Sequence, residues 1–322
     1  MIADQPITLW RRFLRFPWHL LLLSLALVAV GSLALYSASE GSWSPWAGRH
    51  AVRGGVGVVL VFILAFIDLR LLRKWSYFIL LAAVGMLVVL MVVDSGRFVS
   101  RWITIGGFTF QPSEPAKIAV IMALARYFDE QPPERMQSLL VYLPPLVLIT
   151  VPFLLIIKQP DLGTALALLL GALSVLFAAG MPWRYVFTAI VLGSGSLPVL
   201  WMQLHAYQKE RVMTFLNPGA DALGAGYQIT QSKIALGSGG LFGKGFLMGS
   251  QSQLNYLPEK QTDFVFTMIG EEFGLVGNLF ILSVYLLLIG SILAISLRVG
   301  SRFAQLTCVG IAMMLFLYVF VN

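Results

Sequence analysis

The sequence predicts an all-α polytopic membrane protein, on three observations. Charged residues are 11% of the 322, against about 25% in an ordinary soluble domain. Hydrophobic residues are 58%, and mean hydropathy is +0.83. The apolar residues fall in runs long enough to cross a hydrocarbon core of about 30 Å. This composition excludes a soluble globular domain, a disordered chain and a disulfide scaffold.

Nine runs are candidate spans: Trp18–Ser37, Ala51–Ile67, Tyr77–Val93, Glu114–Phe128, Ser138–Ile157, Leu162–Gly180, Tyr185–Leu204, Phe264–Leu297 and Phe303–Val321. Nothing alternates with period two over strand length, which argues against a β-barrel. The first run follows Arg11, Arg12 and Arg15 and precedes Ser37-Ala38-Ser39, as in a signal peptide. It is longer than the usual apolar region of about 7–15 residues, so a retained helix is expected. The eighth run would reach about 51 Å as one helix, well beyond a bilayer core. Its Phe264–Phe273 part is therefore expected at the outer interface or against a cavity, with the span starting near Gly274. Within the seventh run, Gly193-Ser194-Gly195-Ser196 reads as close helix packing.

Orientation follows from the short loops. With the N-terminus inside, the inner segments hold Arg11, Arg12, Arg15, Arg70, Arg73, Lys74, Arg126, Arg135, Arg184, Arg298 and Arg302, eleven residues. The outer short segments hold six: Arg49, Arg53, Arg97, Arg101, Lys117 and Lys158. The excess of Lys and Arg on one side sets the cytoplasmic face. The chain then reads as one membrane domain over 1–322, with 205–263 as a loop on the outer side. That loop is glycine-rich from Gly224 to Gly249, yet carries enough apolar residues to pack on the membrane domain. The net charge of +7 is dealt out between spans and forms no stripe, so nucleic acid is not an expected partner. Cys308 is the single cysteine and makes no internal disulfide.

Ionisable residues in or beside spans are costly and point to function by default. Three constellations qualify, all outer in this topology. The first runs from Arg101 to Gln111-Pro112-Ser113-Glu114-Pro115-Ala116-Lys117. Here Ser113 is the expected N-cap, and Glu114 and Lys117 share a helix face. The pair reads equally as a structural ion pair and as part of a site. The second is Lys158-Gln159-Pro160-Asp161-Leu162-Gly163-Thr164, with Asp161 the expected N-cap of the sixth run. The third is Pro258-Glu259-Lys260-Gln261-Thr262-Asp263-Phe264 with Glu271-Glu272 after it. His19, His50 and His205 lack metal-ligand spacing. Gly240-Leu241-Phe242-Gly243-Lys244-Gly245 fits no phosphate-loop or dinucleotide pattern, and no nucleophile elbow occurs.

These motifs, with Gly226-Tyr227-Gln228-Ile229, Gln231-Ser232-Lys233-Ile234-Ala235, Gly237-Ser238-Gly239-Gly240 and Thr262-Asp263-Phe264-Val265-Phe266, occur in order along most of the chain. Together they resemble the SEDS (shape, elongation, division and sporulation) family. Gly249-Ser250-Gln251-Ser252-Gln253-Leu254 and Leu257-Pro258-Glu259 read like its elongation branch. The resemblance implies a peptidoglycan glycosyltransferase in the cytoplasmic membrane, polymerising lipid II at the outer face during cell elongation and releasing undecaprenyl pyrophosphate. It implies as partners the nascent glycan strand, a class B penicillin-binding protein transpeptidase and other elongation-complex membrane proteins. Asp263 is by resemblance the candidate base for the acceptor hydroxyl. Arg101, Lys117, Lys158, Arg211, Lys233 and Lys244 are candidate cations for the pyrophosphate, Lys117 foremost, with Glu114 orienting Lys117. Mg²⁺ or Mn²⁺ held by Asp161 or Asp263 is chemically reasonable, and no nucleotide is required. Two rivals remain: a lipid II flippase and a non-catalytic scaffold for a transpeptidase. Family members have ten spans, so a chain stopping at Asn322 after nine is expected to be C-terminally truncated.

Overall fold

The computed structural model describes residues 16–93, 101–105, 108–203, 206–217, 219, 225–250 and 261–321. Its long helices are α1 (Trp18–Ala38), α2 (Ala47–Phe66), α3 (Leu69–Val93), α4 (Ser113–Asp129), α5 (Leu143–Lys158), α6 (Leu162–Ala178) and α7 (Trp183–Gln203). Shorter α8 (Ala206–Leu216) and α9 (Ala225–Ser238) precede α10 (Val265–Arg298) and α11 (Arg302–Val321). Six described helices are long and apolar enough to cross a membrane, namely α1, α2, α3, α10, α11 and the stretch Leu139–Lys158 that contains α5. A further apolar helix, α6, is shorter. The all-α polytopic class therefore stands, and the segment expected as one outer loop contains the helices α8 and α9 among its described residues.

Three local expectations change. Strands β1 (Ile103–Ile105) and β2 (Phe108–Phe110) pair antiparallel, with Ile103 opposite Phe110. At three residues each they are too short to show as alternation. Ser113 is not the cap of α4: Pro112 stands at the N-cap, and Ser113 is the first helical residue, with its hydroxyl buried. Pro112 cannot cap through its side chain, so the helix start is secured by the Glu114 amide donating to the Gln111 carbonyl (3.1 Å). At Gly193 and Gly195, a Cβ would meet nothing within 4 Å, so that stretch is not a close-packing site among the described residues. Ser196 there returns its hydroxyl to its own helix, at the Gly193 carbonyl (2.8 Å).

The chain divides into two compact units. One, residues 67–190 and 289–321, is built on a continuous core of α3, α4, α5, α6 and α11. Along α4, Ala116, Ala119, Ala123 and Ala125 are fully buried and keep the helix thin. At Gly310 an added Cβ would lie 2.5 Å from Ile121, and at Gly171 2.8 Å from the Met314 sulfur. Small residues at such crossings let helix backbones approach where lipid supplies no hydrophobic drive. At one end of this bundle, Arg73 pairs with Asp129 (2.8 Å), and Arg126 donates to the Lys74 carbonyl (2.7 Å). Arg302 there ties the start of α11 to the Gln131 and Ala179 carbonyls (3.1 and 3.0 Å). Arg302 thus satisfies carbonyls just past the ends of α4 and α6.

The other unit comprises residues 1–66, 191–288 and 322. Its main feature is the break in α10. Gly274 sits at φ 67°, ψ −162°, a conformation that interrupts the helix and suits glycine. From Leu275 onward α10 is about 36 Å long, enough for one crossing. The sequence puts the start of a span near Gly274, and the helix is interrupted at that residue.

Candidate functional site

In the unit of α3–α6 and α11, the first two motifs come together at the end opposite the Arg73–Asp129 pair. Arg101 donates through Nε to the Gln159 carbonyl (3.1 Å) and through Nη2 to the Pro160 carbonyl. Its Nη1 lies 4.0 Å from Asp161 Oδ2. Asp161 caps α6, accepting from the Thr164 amide (3.2 Å), as expected. Its other oxygen accepts from Gln111 Nε2 (3.2 Å), while Gln159 donates to the Leu87 carbonyl (3.4 Å). Two glutamines, each just before a proline, thus make long-range ties: Gln111 joins two helix starts 50 residues apart in sequence, and Gln159 reaches into α3.

One helical turn further along α4, Lys117 is 2% exposed although charged. Such burial is tolerated only with partners. Its Nζ donates to Glu114 Oε1 (2.8 Å) and to the Tyr318 phenol oxygen. Tyr318 in turn donates to Glu114 Oε2, and Lys117 Nζ lies 4.6 Å from the Tyr318 ring centroid. The three side chains close a ring of hydrogen bonds between α4 and α11.

In the other unit, the glycine-rich stretch repairs the break in α10. Bending a helix at Gly274 frees carbonyls before it and amides after it, and buried groups of this kind need partners. The Lys244 and Gly245 amides donate to the Glu271 and Glu272 carbonyls (both 3.0 Å). The Leu275 and Val276 amides donate to the Gly240 and Leu241 carbonyls (3.0 and 3.1 Å). The approach is so close that a Cβ at Gly243 would sit 2.1 Å from the Glu272 carbonyl oxygen. A Cβ at Gly239 would sit 2.0 Å from that of Gly270. Here glycine is required by space. Side chains fasten the same joint. Lys244 pairs with buried Glu271 (2.7 Å), Ser250 donates to Glu271 (3.0 Å), and Ser37 donates to buried Glu272. Ser232 and Thr267 share a hydrogen bond (2.7 Å) that fixes α9 to the first part of α10.

Asp263 is exposed, in the turn that leads into α10. Lys158, the last residue of α5, and Lys233, on α9, are also exposed. Arg211 belongs to α8, and its side chain lies outside the described residues, as does the 251–260 part of the motif text. Sequence reasoning gave no role to Tyr318 and Ser37, which are single polar residues with no local pattern, or to Ser250, although it lies in the Gly249–Leu254 motif. It quoted Gln111 and Gln159 without a role, although the repeated Gln-Pro was a usable signal. Among the described residues, no three or more of His, Cys, Asp or Glu gather as a metal cluster.

An apolar cavity of about 460 Å³ lies beside the α10 break, lined by Val30, Leu33, Phe242, Phe273, Val276 and Phe280 among others.

Comparison with known proteins places this arrangement. A family model described as cell cycle protein, FTSW_RODA_SPOVE, matches residues 13–322. Peptidoglycan glycosyltransferase MrdB of Escherichia coli K12 is 42% identical over 330 residues, covering 100% of this chain and 87% of the relative. Probable peptidoglycan glycosyltransferase FtsW of Trichlorobacter lovleyi is 36% identical over 97% of this chain and 84% of its own length. Among solved structures, rod shape determining protein RodA of Thermus thermophilus is 29% identical, with a TM-score of 0.67 over 95% of this chain and 83% of that one. A chain from a structure concerning coordinated polymerization and crosslinking by a peptidoglycan synthase complex gives a TM-score of 0.75 at 31% identity, over 92% of this chain and 83% of that one. A match over residues 13–322, with relatives this similar along nearly the whole chain, means that the protein belongs to the FtsW/RodA/SpoVE family of cell cycle proteins.

Proposed function

We propose that this chain is a peptidoglycan glycosyltransferase that polymerises lipid II into glycan strands during cell elongation, releasing undecaprenyl pyrophosphate. The observation that carries the reading is identity of 42% over the full chain to a peptidoglycan glycosyltransferase. The flippase and scaffold readings have no comparable support. The enzyme is a multi-pass protein of the cytoplasmic membrane, with its N-terminus inside and its site at the outer face. Its partner is a class B penicillin-binding protein transpeptidase; a similar chain in a synthase complex that couples polymerization to crosslinking supports this.

Asp263 is the general base. Its carboxylate takes the proton of the acceptor sugar hydroxyl as that oxygen bonds to the donor anomeric carbon and the pyrophosphate departs with the bonding pair. An exposed carboxylate in a turn suits a group that must meet a large acceptor. Negative charge grows on the departing pyrophosphate, so fixed cations stabilise the transition state. Arg101, held rigidly by backbone carbonyls and half exposed, is suited to this, and Lys158, Lys233, Lys244 and Arg211 complete the candidate set. Asp161 orients Arg101. Mg²⁺ or Mn²⁺ would be held by Asp263 or Asp161 and would supply charge neutralisation at the pyrophosphate. One protein carboxylate, with the remaining ligands from phosphate oxygens and water, suits Mg²⁺.

The test is full-length protein in detergent with labelled lipid II, with and without the transpeptidase. Asp263→Ala is expected to slow polymerisation by about 10²–10⁴-fold, the usual worth of a general base. Polymer formed at the wild-type rate by that variant overturns the base assignment. Lipid II translocation in vesicles without any polymer would establish the flippase instead.

A further inference from the structure

Within the glycosyltransferase reading, on which this inference rests, burial separates the roles of Glu114, Lys117 and Tyr318. The Lys117 side chain is 1% exposed, whereas that of Glu114 is 47% exposed and Tyr318 is 45% exposed. Lys117 has three N–H donors, and two are spent on Glu114 and on the Tyr318 oxygen. Tyr318 spends its own hydrogen on the second oxygen of Glu114. Both carboxylate oxygens are thus held, one from each side, and the carboxylate remains the charged group nearest solvent.

We propose that Lys117 and Tyr318 are positioning residues acting through Glu114, and that Glu114 receives a neutral hydrogen-bond donor of the substrate, a sugar hydroxyl or acetamido N–H. A pyrophosphate approaching this trio meets the carboxylate first and is repelled, because the lysine lies behind it. The charge balance agrees: one anion and one cation leave no net positive charge to attract an anion, and the outward end is acceptor. A carboxylate clamped in one rotamer is the arrangement that recognises a hydroxyl with direction. Diphosphate recognition then falls to the exposed cations, Arg101 foremost.

The experiment uses full-length protein, labelled lipid II and undecaprenyl pyrophosphate as inhibitor. Tyr318→Phe keeps the ring over Lys117 and removes only the hydroxyl. It is expected to lower kcat about tenfold, while the inhibition constant of undecaprenyl pyrophosphate stays within twofold of wild type. Glu114→Gln is expected to lower kcat further, and adding Tyr318→Phe to it to cost little more, since both act through one carboxylate. Arg101→Ala is expected to weaken diphosphate inhibition at least tenfold. The proposal is overturned if Tyr318→Phe or Lys117→Met weakens diphosphate inhibition as much as it slows turnover. It is also overturned if the Tyr318 and Glu114 losses multiply, or if Tyr318→Phe turns over like wild type. Should Tyr318→Phe fail to fold in a detergent melt, the Glu114→Gln comparison carries the same inhibition test. If wild-type protein forms no polymer, the glycosyltransferase reading fails by itself. Binding of lipid II and undecaprenyl pyrophosphate to the same variants then decides the trio, with selective loss of lipid II binding expected.

Discussion

Lys244 and Glu271 show how a single pair holds the glycine-rich stretch in place. Glu271 is fully buried, and Lys244 supplies its cation at 2.7 Å from the glycine-rich stretch. Removing one partner of a buried pair costs about 3–5 kcal/mol, because the other charge stays in a poor dielectric. The Lys244 side chain is 29% exposed, so water screens part of the effect. Lys244→Ala is therefore expected to destabilise the protein by about 2–3 kcal/mol in a detergent melt. Lys244→Ala with Glu271→Gln should recover most of that loss, since no buried charge is left behind. A double variant no more stable than Lys244→Ala would mean that the pair contributes little. None of this was legible from the residues alone. Glu271 stood out as a carboxylate in apolar helical sequence, but its partner lies 27 positions away, in a stretch with several lysines to choose from.

Among the elements, the broken helix α10 and the stretch 239–245 form one joint. The backbone at Gly274, with positive φ and extended ψ, lies in a region open essentially only to glycine, where a side chain costs about 1–3 kcal/mol. A Cβ there would also lie 2.4 Å from the Gly243 nitrogen and 2.5 Å from the Leu241 carbonyl oxygen, both backbone atoms with no room to move. Gly274→Ala is expected to displace the glycine-rich stretch, lowering both melting temperature and polymerisation. Gly290→Ala, later in the same helix, meets nothing within 4 Å and should change neither. Equal behaviour of the two variants would show that the joint is not tight. The length of the eighth run and the position of its carboxylates were enough to expect a span starting near Gly274, but not a break in the helix there. Nor was what repairs the break legible, because hydrogen bonds between a loop backbone and a helix backbone have no residue-type signature. The pairing of β1 with β2 was not legible for a related reason, since three residues per strand carry no period.

For the molecule as a whole, the proposed N-inside orientation rests on the distribution of Lys and Arg, and it can be measured. Cys308 is the single cysteine, so Cys308→Ala gives a background free of thiols. Trp43 and Glu134 are exposed, in connections at opposite ends of the proposed topology. In that background, Trp43→Cys is expected to react with a membrane-impermeant maleimide in intact spheroplasts. Glu134→Cys should react only after permeabilisation. The reverse pattern would invert the topology and place the 205–263 segment in the cytosol, away from an outer-face reaction.

The class of protein, the helical runs and the motif residues could all be read from the sequence. Each depends on composition or on near neighbours, and a hydrocarbon core imposes length and apolarity one segment at a time. Which polar residues meet could not be read in this way. Gln111 reaching Asp161, Tyr318 closing on Glu114 and Lys117, and Ser37 reaching Glu272 join residues 50 to 235 positions apart. Such pairings are set by helix packing, through small residues such as Ala116, Gly171 and Gly310 that decide how closely backbones approach. The same packing decided that Lys117, an outer cation by sequence, is covered, and that the carboxylate beside it faces outward.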